Sequence, residues 1–386
     1  MEELIYQGSA EDEEKVLEIL ERSTRKIVEK VGTRDCDAVV LTGGFGRGEG
    51  AVKRNGEEPG APFNDLDLLL IGARARVSAS VLRELKNSLP RIAGTDFVDV
   101  GYLHSSEFRK AAPTIFLYDL RNGSRVIWGD EAVLEKIPSF SSSELPMSEA
   151  TRLFLNRGIG LLYAYLLLAR GEARHVLEKT AAVAWSKTVL AAGDAKLLQR
   201  RIYHWSYVER MKRIEEAAKS SAINPDFLEN YKRAALFKLT ADFGVLPARD
   251  PSRLCRDARI IHEEHFRQVE QRRTRLPMGD WREYPSVLLR AGLDSFRRRL
   301  KQVLIGLGSS VNHPATLTRF VRLPLLGEER RLALLPLVLY SAPEPGGRED
   351  NSKYLEEACV LEFGRRRAVA EDWSKLAGAL VGDSHP

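Results

Sequence analysis

Cysteine is scarce in this chain of 386 residues, and the three present, Cys36, Cys255 and Cys359, are far apart and odd in number. That pattern offers neither a disulfide framework nor a zinc knuckle, and a reducing, cytoplasmic setting is expected. Long apolar runs are also missing. The longest, GIGLLYAYLLLA at 158–169, lies between Arg157 and Arg170 and is too short to cross a bilayer. It reads as a buried helix, and no membrane association is expected. The opening MEELIYQGSAEDEEKVLEIL is acidic and amphipathic, which is wrong for a secretory or mitochondrial leader. Internal repeats and low-complexity tracts are lacking too.

What is present is an ordinary soluble composition, 29% charged and 44% hydrophobic, long enough for two or three domains. Net charge is +5, and the excess is uneven: Pro251 to Arg331 holds seventeen Lys and Arg against nine Asp and Glu. Such a tract can dock a polyanion, but without interleaved aromatics or a nucleic-acid motif the preferred reading is a set of solvated helix faces.

Residues 11–31 have helical periodicity. CDAVVLTGG then reads as a strand entering a turn, GRGEGAV as the first turn of a helix, and DLDLLLIG as a second strand. VSASVLRELKNSLPRI is an amphipathic helix, DFVDVGYLH a third strand, and NGSRVIWGD a turn followed by a fourth. The Ser- and Pro-rich KIPSFSSSELP makes a boundary. The expected organisation is a small α/β domain at 1–140, a helical domain of five or six members at 148–308, and a C-terminal region at 309–386. In that last region RLALLPLVLYS and EEACVLEFG are candidate strands.

Chemistry concentrates in the first domain. Asp65 and Asp67 are two apart on a strand, so both carboxylates face one side, about 7 Å apart along the rise, while Leu66, Leu68 and Leu70 face a core. A solvated edge strand would account for a lone acidic pair. Asp99, mid-strand in FVDVGYL, can complete a three-carboxylate cluster if the second and third strands are neighbours; Asp96, at the strand entrance, is the rival. Paired carboxylates favour a divalent cation. Upstream, GGFGRGEG lets the backbone approach a phosphate, and Arg47 adds a forked cation. A dinucleotide-binding unit also has a strand, a glycine turn and an acid. It would want Gly or Ala where Glu49 stands, and no Walker lysine follows the glycines.

These residues, in this order, resemble the nucleotidyltransferase superfamily with the polymerase β-like fold. GGFGRGEG and DLDLLLIG are most similar to the uridylyltransferase branch that modifies a nitrogen-regulatory signal protein. The resemblance covers about residues 35–137. It implies an α+β fold class, with a small mixed sheet ahead of the helical domain. It also implies that Gly43 and Gly44 hold the triphosphate, that Asp65 and Asp67 bind two Mg²⁺ or Mn²⁺ ions, and that Asp99 helps activate an acceptor hydroxyl. Twenty residues separate Gly44 from Asp65, more than is usual, and AVKRNGEEPGAPF reads as an inserted loop.

Elsewhere, Lys179 and Lys187 lie on a helix that the family arrangement would turn toward the triphosphate, with Lys179 the candidate ligand. Tyr203, Trp205 and Tyr207 are candidates to line a cleft. HEEH at 262–265 lacks metalloprotease spacing and reads as a solvated face. The expected activity is transfer of a nucleoside monophosphate from a nucleoside triphosphate to a hydroxyl. A small-molecule or protein acceptor is favoured, with an RNA end, or a non-catalytic dinucleotide-binding module, as the alternatives. A cleft is expected between residues 35–137 and the helices after Ser148.

Overall fold

The computed structural model describes residues 3–54, 60–63, 65–74, 76–220, 223–291, 327–343, 352–363 and 371–382. The centre of the inserted loop, most of APEPGGREDN and the tract holding Arg297, Arg298, Arg299 and Lys301 lie outside the described residues.

Helix α1 (Ala10–Val31) begins at Ser9, whose hydroxyl accepts from the Asp12 amide while Asp12 accepts from the Ser9 amide. That reciprocal pair satisfies two orphan donors. Four strands follow among the described residues: β1 (Ala38–Leu41), β2 (Asp65–Gly72), β3 (Phe97–His104) and β4 (Arg125–Gly129). They lie in the order β3-β2-β1-β4. β1 is antiparallel to β2 and β4, whereas β2 and β3 are parallel and joined through α3 (Ala79–Ala93). The sheet is mixed, as expected. Antiparallel pairing of β1 with β2 excludes a dinucleotide-binding βαβ unit, in which the strands flanking the glycine turn run parallel.

Alternation assigns side chains to faces. Val39, Leu41, Leu66, Leu68, Leu70, Val98 and Val100 pack with α1 and α3 into one core. Ala38, Val40, Leu69 and Ile71 face the other way, against Phe108, Leu120 of α4 (Ile115–Asn122), Val133 and Ile137. This second face is therefore covered along one end. The entrances of β2 and β3, with their aspartates, take no part in that second core.

The helices that follow among the described residues are α5 (Ser148–Arg170), α6 (Arg174–Gln199), α7 (Tyr207–Ser220), α8 (Pro225–Thr240), α9 (Pro251–Thr274), α10 (Tyr284–Ala291), α11 (Gly327–Leu339), α12 (Ser352–Phe363) and α13 (Asp372–Gly382). The chain divides into two compact units, one of residues 1–146 and 196–246 and one of 147–195 and 247–386. Composition shows helix after helix from 148 onward; packing gives α7 and α8 to the unit that holds the sheet.

In the second unit, α5 is long and apolar enough to cross a membrane by length and composition, more so than its central run alone implies. Most of it is buried, packed against α9, α11 and α13. In place of the two candidate strands, residues 331–339 and 356–363 are helical, in α11 and α12. Leu332 to Tyr340 are all buried, so there is no alternating polar face to separate a strand from a buried helix. HEEH is likewise not a solvated face. His262 is fully buried, with Nδ1 2.8 Å from the Tyr340 hydroxyl and Nε2 2.8 Å from the Phe154 carbonyl.

Candidate active site

β1 ends where the chain must turn, and the turn is built around Asp67. The Thr42 amide donates to the Asp67 carbonyl at 2.9 Å, which extends the β1–β2 ladder by one residue. Gly43 follows at φ +65°, and a Cβ placed there would stand 1.9 Å from Asp67 Oδ2. Only glycine fits, both for the left-handed backbone and for the carboxylate lying over its Cα. The helical turn α2 (Gly43–Gly46) is made by GGFG itself, three residues earlier than the expected GRGEGAV. Arg125, at the start of β4, fixes the far end of the turn by donating from Nε to the Gly46 carbonyl at 3.0 Å.

The parallel register sets Asp65 beside Phe97 and Asp67 beside Asp99. Asp65, Asp67 and Asp99 thus share one face at the end of the sheet that carries Gly43 and Gly44. Asp96 lies before β3 and outside this register. The Asp99 side chain is 53% exposed and pairs with Lys86 Nζ at 3.2 Å. Among the described residues no group of three or more His, Cys, Asp or Glu gathers as a metal-holding cluster. The converged triad expected from the sequence is therefore not formed: like charges repel, and Lys86 gives Asp99 another partner. The oxygen donors of Asp65 and Asp67, with Asp99 across the register, do fit a hard divalent cation in kind and in face.

Arg47 and Glu49 have other partners than the sequence implied. Glu49 is 5% exposed. Its carboxylate accepts from the Ser206 hydroxyl at 2.6 Å and from the Tyr207 and Val208 amides at 3.0 and 3.1 Å. Arg47 lies 3.6 Å from both Glu49 and Asp119, and 5.3 Å from the centre of the Tyr207 ring. Asp119 also accepts from Arg210 and from the Tyr203 hydroxyl, each at 3.2 Å. Of the three alternating aromatics, Tyr203 is buried, and Trp205 packs so closely that a Cβ at Gly123 would come within 2.8 Å of its ring. Burial, reinforced by Arg213, lowers the His204 pKa; Nδ1 accepts from the Ser206 amide at 3.1 Å. Asp119, Ser206 and Arg210 were missed in the sequence because nothing local marks them. Their partners are on distant segments. Lys179 and Lys187 lie part-buried on α6, in the second unit.

No protein-family model matches the sequence, and no curated protein matches it. Among solved structures, one with similarity is a spectinomycin adenyltransferase from Enterococcus faecialis, solved with ATP and spectinomycin. It is 12% identical, and the match spans 65% of this chain and 98% of that one at a TM-score of 0.38.

Proposed function

We propose that this protein is a metal-dependent nucleotidyltransferase, moving a nucleoside monophosphate from a nucleoside triphosphate to a hydroxyl of a small molecule or a protein. The observation that carries this reading is the seat of the Asp67 carboxylate on Gly43, with Asp65 and Asp99 on the same face. A glycine turn that presents amides to phosphate and a carboxylate set that holds cations are one joined feature here, as this chemistry requires.

Gly43 and Gly44 bring the backbone close to the triphosphate and orient it. Asp65 and Asp67 would hold Mg²⁺ or Mn²⁺, with Asp99 across the register; the metal would supply positive charge to offset that of the triphosphate. Asp99 accepts the proton of the acceptor hydroxyl. The hydroxyl oxygen bonds to the α-phosphorus as the bond to pyrophosphate breaks in line behind it. Positioning and charge compensation by the chain provide most of the rate. The three cysteines are buried, and burial pushes the Cys36 thiol up to about 11 and the Cys255 thiol to about 12.

Incubation of α-labelled ATP, UTP, CTP and GTP with cell extract, followed by separation of protein, RNA and small-molecule fractions, tests the proposal. Label is expected in the small-molecule or protein fraction, with pyrophosphate released. Label in no fraction from any of the four would overturn it.

A further inference from the structure

We infer that Glu49 and Arg47 are positioning residues that fasten the glycine turn to the start of α7, making that helix end part of the nucleotide site's scaffold. The inference rests on the proposed nucleotidyltransferase reading and changes the role of Arg47 within it, from phosphate ligand to tether.

Glu49 touches both parts. Its amide donates to the Gly44 carbonyl at 2.8 Å, closing the turn, while its carboxylate accepts the first amides of α7. Those amides have no partner within the helix, and the helix dipole favours a negative charge beside them. Ser206 completes the junction, accepting from the Glu209 amide at 3.2 Å as it donates to Glu49. A carboxylate this buried is retained only where its bonds are made, and here they span 157 to 159 residues of chain.

The charges close on themselves. Glu49 and Asp119 contribute two negative charges, and Arg47 and Arg210 two positive ones. Arg47 sits between both carboxylates, its Nε without a hydrogen-bond partner among the described residues. An arginine already flanked by two carboxylates offers a phosphate little net positive charge. What it does offer is attraction to both sides of the junction, with its stem against Gly123, where a Cβ would come within 2.9 Å of Arg47 Cγ.

The test uses Ser206→Ala and Glu49→Gln in the full chain, measured well below their melting temperatures. The probe is whichever of ATP, UTP, CTP and GTP the unaltered protein binds in MgCl₂. Ser206 is remote from the glycines in sequence, so a merely structural role would lower the melting temperature and leave nucleotide affinity alone. The inference expects each variant to bind about tenfold more weakly, the equivalent of one hydrogen bond's ordering, and the double variant to fall short of the product. Affinity unchanged in both variants would overturn it. Asp67→Asn separates the two levels: if the unaltered protein binds none of the four, or Asp67→Asn binds as well as it does, the nucleotidyltransferase reading itself fails. Should Glu49→Gln not fold, Ser206→Ala alone decides.

Discussion

Asp67 meets three neighbours at once: its carbonyl takes the Thr42 amide, its side chain rests on Gly43, and its register partner is Asp99. Gly43→Ala should therefore act twice. A left-handed backbone destabilises an alanine by about 1 kcal/mol or more, and the new methyl displaces the carboxylate that the site depends on. Nucleotide binding is expected to be lost even where circular dichroism shows a folded chain; normal binding would refute the seat. Asp65→Asn and Asp67→Asn should abolish pyrophosphate release with little loss of stability, or a small gain, because each relieves repulsion between like charges. Calorimetry alongside the assay checks both parts. The acidic pair and the glycines were legible in the sequence because their spacing and residue types are local. Asp119 and Arg210 were not, since a buried ion pair is defined by a partner the sequence does not place.

Among elements, those with clear alternation or helical stripes were legible. β2 and β3 show their faces in their residues, and the register then brings Asp99 beside Asp67. α11 was misread because it is apolar on all sides. His262 was misread because four polar residues in a row look solvated, although a helix turns the first of them inward. Its environment has a measurable consequence. The Phe154 carbonyl must accept, so Nε2 carries the proton and Nδ1 accepts from the Tyr340 hydroxyl. Burial lowers the folded-state pKa from 6.5 to about 4, so between these values the unfolded chain binds the proton first. Stability is full above pH 6.5 and falls as pH drops toward 4, by about 3 kcal/mol from this group. Thermal melts of the unaltered protein and His262→Gln across that range should converge toward pH 4. Parallel curves would exclude the assignment.

Across the protein, the sequence showed a sheet domain followed by helices but not which helices belong to its unit, because an amphipathic stripe does not name its partner. Packing assigns α7 and α8 to the unit of the sheet. The basic excess between Pro251 and Arg331 bears on the acceptor. With a small-molecule or protein acceptor, replacing Arg297, Arg298 and Arg299 together by glutamate should leave transfer unchanged at low and moderate salt. A large, salt-sensitive loss of acceptor affinity with nucleotide affinity intact would instead mark an RNA acceptor. We propose the acidic end of the sheet as a metal-dependent nucleoside triphosphate site. Its most direct test is the thermal shift produced by ATP, UTP, CTP and GTP, each with and without Mg²⁺, and by NAD, in the unaltered protein and in Asp67→Asn. Stabilisation by at least one triphosphate, only with Mg²⁺ and only in the unaltered protein, is the predicted result; stabilisation by NAD alone, or equally in Asp67→Asn, would contradict it.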